Sequence, residues 1–244
     1  MLIQSEYAAE EARIRAAYAH RDTTPEILKR ESYFDRACLF MMQEQERKIL
    51  ALLRKHRRDD LANQTILEVG CGTGGNLRRL IKWGARPESV VGLDLLPDNI
   101  DRARWLSPNG VSLHCGSAAN IPFPDGSFDL VVQVTVFSSI LDPGMKQRIA
   151  QEMLRVLKAD GAILWLDFFF NNPKNHDVRG VGQKEIRSLF PDCVAKVCRV
   201  NLAPPLVRLL APRSWLLCDV LASLAFLNTH YLGLFSVKHE NHAS

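Results

Sequence analysis

Glu68, Gly70, Gly72, Gly74 and Asp94 are spaced so that they can hold a small cofactor. The run Ile66-Leu67-Glu68-Val69 reads as a short apolar strand that passes directly into Gly70-Cys71-Gly72-Thr73-Gly74-Gly75. Glycines at alternate positions let the backbone take φ > 0 and approach a ligand to contact distance, so this turn reads as a cradle. About twenty residues past Gly74, a second apolar strand, Val90-Val91-Gly92-Leu93, ends in Asp94. A nucleotide-binding sheet places an acid there to accept hydrogen bonds from ribose hydroxyls. Gly70, Gly72 and Gly75 also satisfy the dinucleotide fingerprint, so NAD is allowed on spacing alone. Glu68 weighs against it, because a purely structural strand rarely carries a carboxylate that is costly to bury.

The elements that position these residues follow from hydrophobic periodicity. Residues from about 5 to 20 and from 25 to 57 read as helices, and residues 1–60 are expected to form an N-terminal helical cap. Strands are expected near 65–69, 89–94, 111–115, 128–134, 161–169 and 194–200, with helices near 75–83, 97–105, 144–158 and 182–189 between them. Such alternation implies a doubly wound α/β domain over 61–244, with a mostly parallel sheet covered on both faces. Ligands then bind outside the carboxyl ends of the strands, at the switch point.

The segment Glu68-x-Gly70-x-Gly72-x-Gly74 resembles motif I of the class I S-adenosylmethionine-dependent methyltransferases. Further matches follow in the expected order. Gly116-Ser117-Ala118 and the stretch Ile121 to Val132 resemble the adenine-pocket loop and fourth strand of small-molecule members, such as the ubiquinone/menaquinone type. Glu152-Met153-x-Arg155-Val156-Leu157-Lys158-x-x-Gly161 resembles the helix and turn before the fifth strand. Together the matches cover roughly residues 60 to 170. The resemblance implies a Rossmann-like, seven-stranded sheet whose last strand, Tyr231–Val237, slips in antiparallel beside the fifth, after a helical insertion at about 203–229.

It also implies a cofactor, S-adenosyl-L-methionine, with S-adenosyl-L-homocysteine as product and no metal. Glu68 and the Gly70-Cys71-Gly72-Thr73-Gly74 turn would hold the methionine moiety, Asp94 the ribose hydroxyls, and Leu95 the adenine face. Ser117 and the Ala118 amide would read the adenine edge, and Gln133 would face the methionine portion. The family usually has an acid at the position of Ser117, whose hydroxyl lacks the charge assistance of a carboxylate. A sulfonium methyl is already activated, so catalysis is expected to consist mainly of positioning. For a general base the candidates are His176 in the loop after strand five, Tyr33 in the cap, and His230 after the insertion. Arg179, Asn171 and Tyr231 are candidate substrate contacts. Asn172-Pro173 follows strand five rather than strand four, so it does not support methylation of exocyclic amines of nucleic-acid bases.

A chain of 244 residues, 47% apolar, can bury a sizeable core. Its formal charge of +4 is modest, and the cluster Arg54-Lys55-His56-Arg57-Arg58 reads as a solvated helix end rather than a nucleic-acid surface. Six cysteines without metal-ligand spacing, and a first twenty residues lacking an apolar segment, point to a cytoplasmic protein with reduced thiols. The run Trp215–Leu227 is about thirteen residues long and contains Asp219, too short to span a bilayer. Core packing of an insertion, an apolar substrate wall and peripheral membrane contact all remain open for it. The expected activity is methyl transfer to an oxygen or nitrogen of a small molecule: a secondary metabolite, heterocycle, cofactor precursor or sugar unit. Alternatives are a cofactor-binding scaffold without transfer activity, and a membrane-associated lipid or quinone methyltransferase. Neither the acceptor nor the oligomeric state follows from the sequence.

Overall fold

A computed structural model describes residues 6–22, 32–171 and 175–238. Two helices come first, α1 (Ala8–Asp22) and α2 (Arg36–Lys55), then β1 (Ile66–Val69), α3 (Gly75–Lys82), β2 (Val90–Asp94), α4 (Pro97–Leu106), β3 (Ser112–Cys115) and β4 (Phe128–Val134). The second half runs through α5 (Pro143–Arg155), β5 (Leu157–Phe168), α6 (Gln183–Leu189), β6 (Cys193–Ala195), β7 (Cys198–Leu202), α7 (Pro204–Leu210), α8 (Trp215–Ala222) and β8 (Asn228–Val237). The sheet order is β3-β2-β1-β4-β5-β8-β6, and β7 also pairs with β8. Strands β1 to β5 are mutually parallel, whereas β8 is antiparallel to β5, with Phe168 opposite His230. The antiparallel last strand thus lies where the sequence placed it.

Side-chain alternation sorts the core into two layers. Leu67, Val69, Ile163 and Trp165 face one layer, which holds Met145, Ile149 and Met153 of α5. Ile66, Ala162, Leu164 and Leu166 face the other, with Leu77 and Leu80 of α3 and Ile49 and Leu53 of α2. A third cluster joins Ala37 and Phe40 of α2 to Val207, Cys218 and Ala222 of the insertion. The two N-terminal helices therefore serve different places: α2 covers a sheet face, and α1 lies against the loops at the carboxyl ends of the strands. Caps fix several helix starts. Asp35, Asp142 and Ser214 accept hydrogen bonds from the amides of Cys38, Met145 and Leu217 at 2.8, 2.7 and 3.2 Å.

Some boundaries differ from expectation. Helix α5 stops at Arg155 rather than 158, because the Val156 carbonyl accepts from the Phe128 amide at 3.0 Å and Leu157 pairs with Phe128 in the sheet. The expected sixth strand is split into β6 and β7. Both halves hold one continuous register on β8, from Cys193 opposite Val237 to Leu202 opposite Asn228. At the break, Val197 packs over Gly233, where a Cβ would come within 2.7 Å of its Cγ1. Residues 25–31 of the expected second helix lie outside the described residues. No helix among those described is long and apolar enough to cross a membrane.

Candidate active site

The carboxyl ends of β1, β2 and β4 enclose a cavity of about 300 Å³. Gly70, Cys71, Gly72 and Thr73 form one side, Asp94, Leu95 and Asn99 the next, and Ser117 with Ala118 a third. Val134, Thr135, Val136, Ser139 and Ile140 follow β4, and Met145 and Ile149 of α5 supply an apolar floor. Gly70, Gly72 and Gly74 all have positive φ, at 67°, 53° and 77°. The amides of Gly70 and Cys71 both donate to the Leu93 carbonyl, at 2.7 and 3.0 Å, which ties the turn to the end of β2.

Gly70 and Gly72 need glycine for different reasons. A Cβ at Gly70 would stand 2.5 Å from Val136 Cγ2, whereas one at Gly72 would meet no atom within 4 Å and would project into open space. Gly70→Ala and Gly72→Ala should each cost about 1–2 kcal/mol of stability from the left-handed backbone. Gly70→Ala should lose more, from the overlap with Val136. Thermal unfolding of the two variants checks this, and equal losses would refute the steric assignment.

Asp94 is buried and links the two loops. Its Oδ2 accepts from the Gly72 amide at 2.8 Å, and Oδ1 from the Leu96 amide at 2.9 Å and Asn99 Nδ2 at 3.1 Å. Glu68, Gly74 and Gln133 stand behind the cavity wall rather than in it. Asn76 Nδ2 of α3 donates to Glu68 Oε1 at 2.8 Å, and Glu68 Oε2 has no partner among the described residues. Burial pushes the Glu68 carboxyl up to about 8. Gln133 Oε1 accepts from the Val136 amide at 3.1 Å, while its Nε2 also has no partner. Two orphaned polar atoms beside the glycine turn, and the open space at Gly72, fit a ligand with an amino-acid end, as S-adenosylmethionine has. Cys71 is buried, and that burial pushes its thiol pKa upward, as expected of a filler. Ser117 Oγ accepts from the Ala119 amide at 3.3 Å.

Helix α1 supplies a wall the sequence did not reveal. Ile14 and Tyr18 line the cavity, and Tyr18 Oη lies 2.9 Å from Ser139 Oγ. Arg13 Nη2 donates to the Ser139 carbonyl at 2.6 Å and Nη1 to the Asp177 carbonyl at 3.2 Å. Arg15 Nη1 donates to the Leu95 carbonyl at 2.6 Å, and Glu10 accepts from the amides of Leu141 and Asp142. The Arg13 guanidinium beside Glu10 holds the Glu10 carboxyl below its ordinary range. Thr135, also missed, turns the chain after β4 with φ 57°, its amide donating to the Leu166 carbonyl at 2.8 Å.

None of the six candidate catalytic and substrate residues lines this cavity. Tyr33 is exposed, its hydroxyl 3.4 Å from Arg79 Nη2, and His176 is exposed in the loop after β5. His230 is half-buried between β5 and β7, and burial depresses its pKa to about 4, poorly matched to a base working near neutrality. Arg179 is 3.3 Å from Glu185, Asn171 Oδ1 accepts from the Gly180 amide at 3.0 Å, and Tyr231 is buried in a stack on Phe169 with centroids 4.4 Å apart. Asn171, His176 and Arg179 lie in the loop after β5, Tyr33 precedes α2, and His230 and Tyr231 lie within β8.

A doubly wound sheet with a glycine turn and an acid at adjacent strand ends is the arrangement on which nucleotide-binding α/β folds hold a cofactor. Residues 66–161 match the family described as methyltransferase domain. The 2-methyl-6-phytyl-1,4-hydroquinone methyltransferase of Synechocystis sp. is 37% identical over 107 residues, which are 43% of this chain and 32% of that protein. The fatty-acid O-methyltransferase of Mycolicibacterium smegmatis is 38% identical over 109 residues, 44% of this chain and 38% of that one. The chain therefore spans less than half the length of these relatives. The crystal structure of a SAM-dependent methyltransferase from Archaeoglobus fulgidus superposes with a TM-score of 0.56 over 82% of this chain and 98% of the other, at 15% identity, and so shares the fold. Residues 66–161 are thus similar to methyltransferase domains, and the chain shares the fold of S-adenosylmethionine-dependent methyltransferases.

Proposed function

We propose that this protein transfers the methyl group of S-adenosylmethionine to an oxygen or nitrogen of a small, largely apolar molecule. The observation that carries the reading is the make-up of the cavity. Among the described residues Asp94 is the one carboxylate lining it, and the remaining walls are the glycine turn, hydroxyls, the Asn99 amide and mostly apolar side chains. Asp94 is held at the end of β2 by three hydrogen bonds, in place to receive ribose hydroxyls. The open space at Gly72 suits the polar end of the methionine moiety, with Glu68 and Gln133 backing the turn from behind the wall, and Leu95 and Ala118 suit the adenine.

When bound, the cofactor supplies an electrophilic methyl. What this chain adds is orientation and exclusion of water, which together can lower a barrier by about 7–11 kcal/mol. No strong base lines the described cavity, so an acceptor that arrives neutral, or already ionised, suits it best. Tyr18 and Ser139 offer hydroxyls that can orient an acceptor by hydrogen bonding. The names of the two relatives, one acting on a phytyl hydroquinone and one on a fatty acid, support an apolar acceptor.

Methyl-labelled S-adenosylmethionine incubated with the protein and fractionated metabolite and lipid extracts tests the reading. Label is expected to move into an organic-extractable product. Tight binding of S-adenosylhomocysteine with no label transferred from any fraction would leave a cofactor-binding scaffold and remove the enzyme.

A further inference from the structure

The insertion between β7 and β8 presents an apolar face to solvent. In α8, Cys218 and Ala222 point into the core, whereas Leu216 and Val220 are 75% and 54% exposed, and Leu224, just past the helix, is exposed too. Phe226, after the helix, is 72% exposed, and Leu209 of α7 is exposed beside them in sequence. Trp215 is half-buried, edge-on to Phe40 of α2 at 5.8 Å. A helix in a soluble fold ordinarily turns its apolar stripe inward, so an outward stripe marks a surface that meets something apolar.

Its position relative to the cavity follows from the sheet. Leu202 ends β7 opposite Asn228, which begins β8, and Phe168 ends β5 opposite His230. The whole insertion therefore emerges at the end of the sheet where the cavity loops lie. The middle of α2 is tied to the end of β7 at the same place, because Glu44 accepts from the amides of Asn201 and Leu202 at 3.1 Å each.

The charges around the stripe decide what covers it. Arg208, in α7, and Arg213, in the turn between α7 and α8, are exposed and pair with no carboxylate among the described residues. Asp219, the single acid of α8, is already engaged by Arg47 at 2.6 Å. A second copy docking through the same patch would bring like charges together. An anionic lipid surface would draw the arginines to its phosphates while the leucines, valine and phenylalanine enter the acyl boundary. The geometry points to the α7–α8 insertion as a docking face for an anionic bilayer, which turns the cavity end of the sheet toward the lipid. That a bilayer-borne acceptor then meets the cavity rests on the proposed methyl transfer; the docking does not.

Co-sedimentation with vesicles tests it without turnover, using the full chain and either phosphatidylcholine alone or phosphatidylcholine with about 30 mol% phosphatidylglycerol. The protein is expected to sediment with the anionic vesicles and only weakly with the neutral ones. Leu216→Asp with Val220→Asp, and separately Arg208→Gln with Arg213→Gln, should each cut binding about tenfold or more. All four positions are exposed, so thermal unfolding and S-adenosylhomocysteine binding should stay unchanged and show that the variants fold. Absence of binding to anionic vesicles, unaltered binding by either double variant, or a dimer by light scattering that the Leu216→Asp, Val220→Asp change abolishes, would overturn the proposal.

Discussion

Asp94→Ala is expected to weaken S-adenosylhomocysteine binding by roughly 10- to 150-fold, equivalent to about 1.5–3 kcal/mol, the range for removing a charged hydrogen-bond partner. The loss has two sources. One is the carboxylate that faces the ribose hydroxyls. The other is internal, because Asp94 fastens the Gly72 amide on one side and the Leu96 amide and Asn99 on the other. Asp94→Asn separates them: its carbonyl oxygen can keep one of the amide contacts while the charge is lost, so it should fall between wild type and alanine. Calorimetry gives the affinities, and unaltered binding in Asp94→Ala would sink the ribose assignment.

The second large effect is on stability against pH. Burial raises Glu68 from 4.5 to about 8 and Asp167 from 3.8 to about 7. Both are carboxylates whose folded values lie above their unfolded ones, so the unfolded chain releases its protons first as pH climbs. Their contribution is therefore whole below pH of about 4, and it drains away as pH rises toward 7 to 8. For Glu68 alone this loss is on the order of 3–5 kcal/mol. Glu10, Asp129 and Glu152, held below the ordinary range by Arg13, Lys158 and Arg155, act in the opposite sense and lose their contribution in acid. Urea midpoints should thus be highest in the mildly acidic range and decline toward pH 8.5. Glu68→Gln keeps the shape and the Asn76 contact, and it should flatten that decline. Parallel curves for wild type and Glu68→Gln would contradict the assignment of the slope to this residue.

The parts of the site carried by backbone were legible in the sequence. Gly70, Gly72 and Gly74 announced a turn of positive φ because few other residues tolerate one, and Asp94 was found by its distance along the chain from that turn. The antiparallel pairing of the last strand with β5 was read from resemblance to the family. What stayed hidden depended on contacts between residues far apart in sequence. Tyr18 gains its place only because α1 folds back onto Ser139, 121 residues away. His230 looked available as a base until the pairing of β8 with both β5 and β7 buried it. The break between β6 and β7 could not be foreseen either, since it follows from Val197 lying over a glycine on the neighbouring strand.

Helix α1 reaches the loops after β2, β4 and β5 together, through Leu95, Ser139 with Leu141 and Asp142, and Asp177. In mechanical terms it is a tie-bar. Three segments that would otherwise fluctuate separately share a single degree of freedom, so a ligand leaving past Tyr18 must break several hydrogen bonds in one concerted excursion. Weakening that helix, as by Arg13→Ala, is therefore expected to loosen all three loops together rather than one of them.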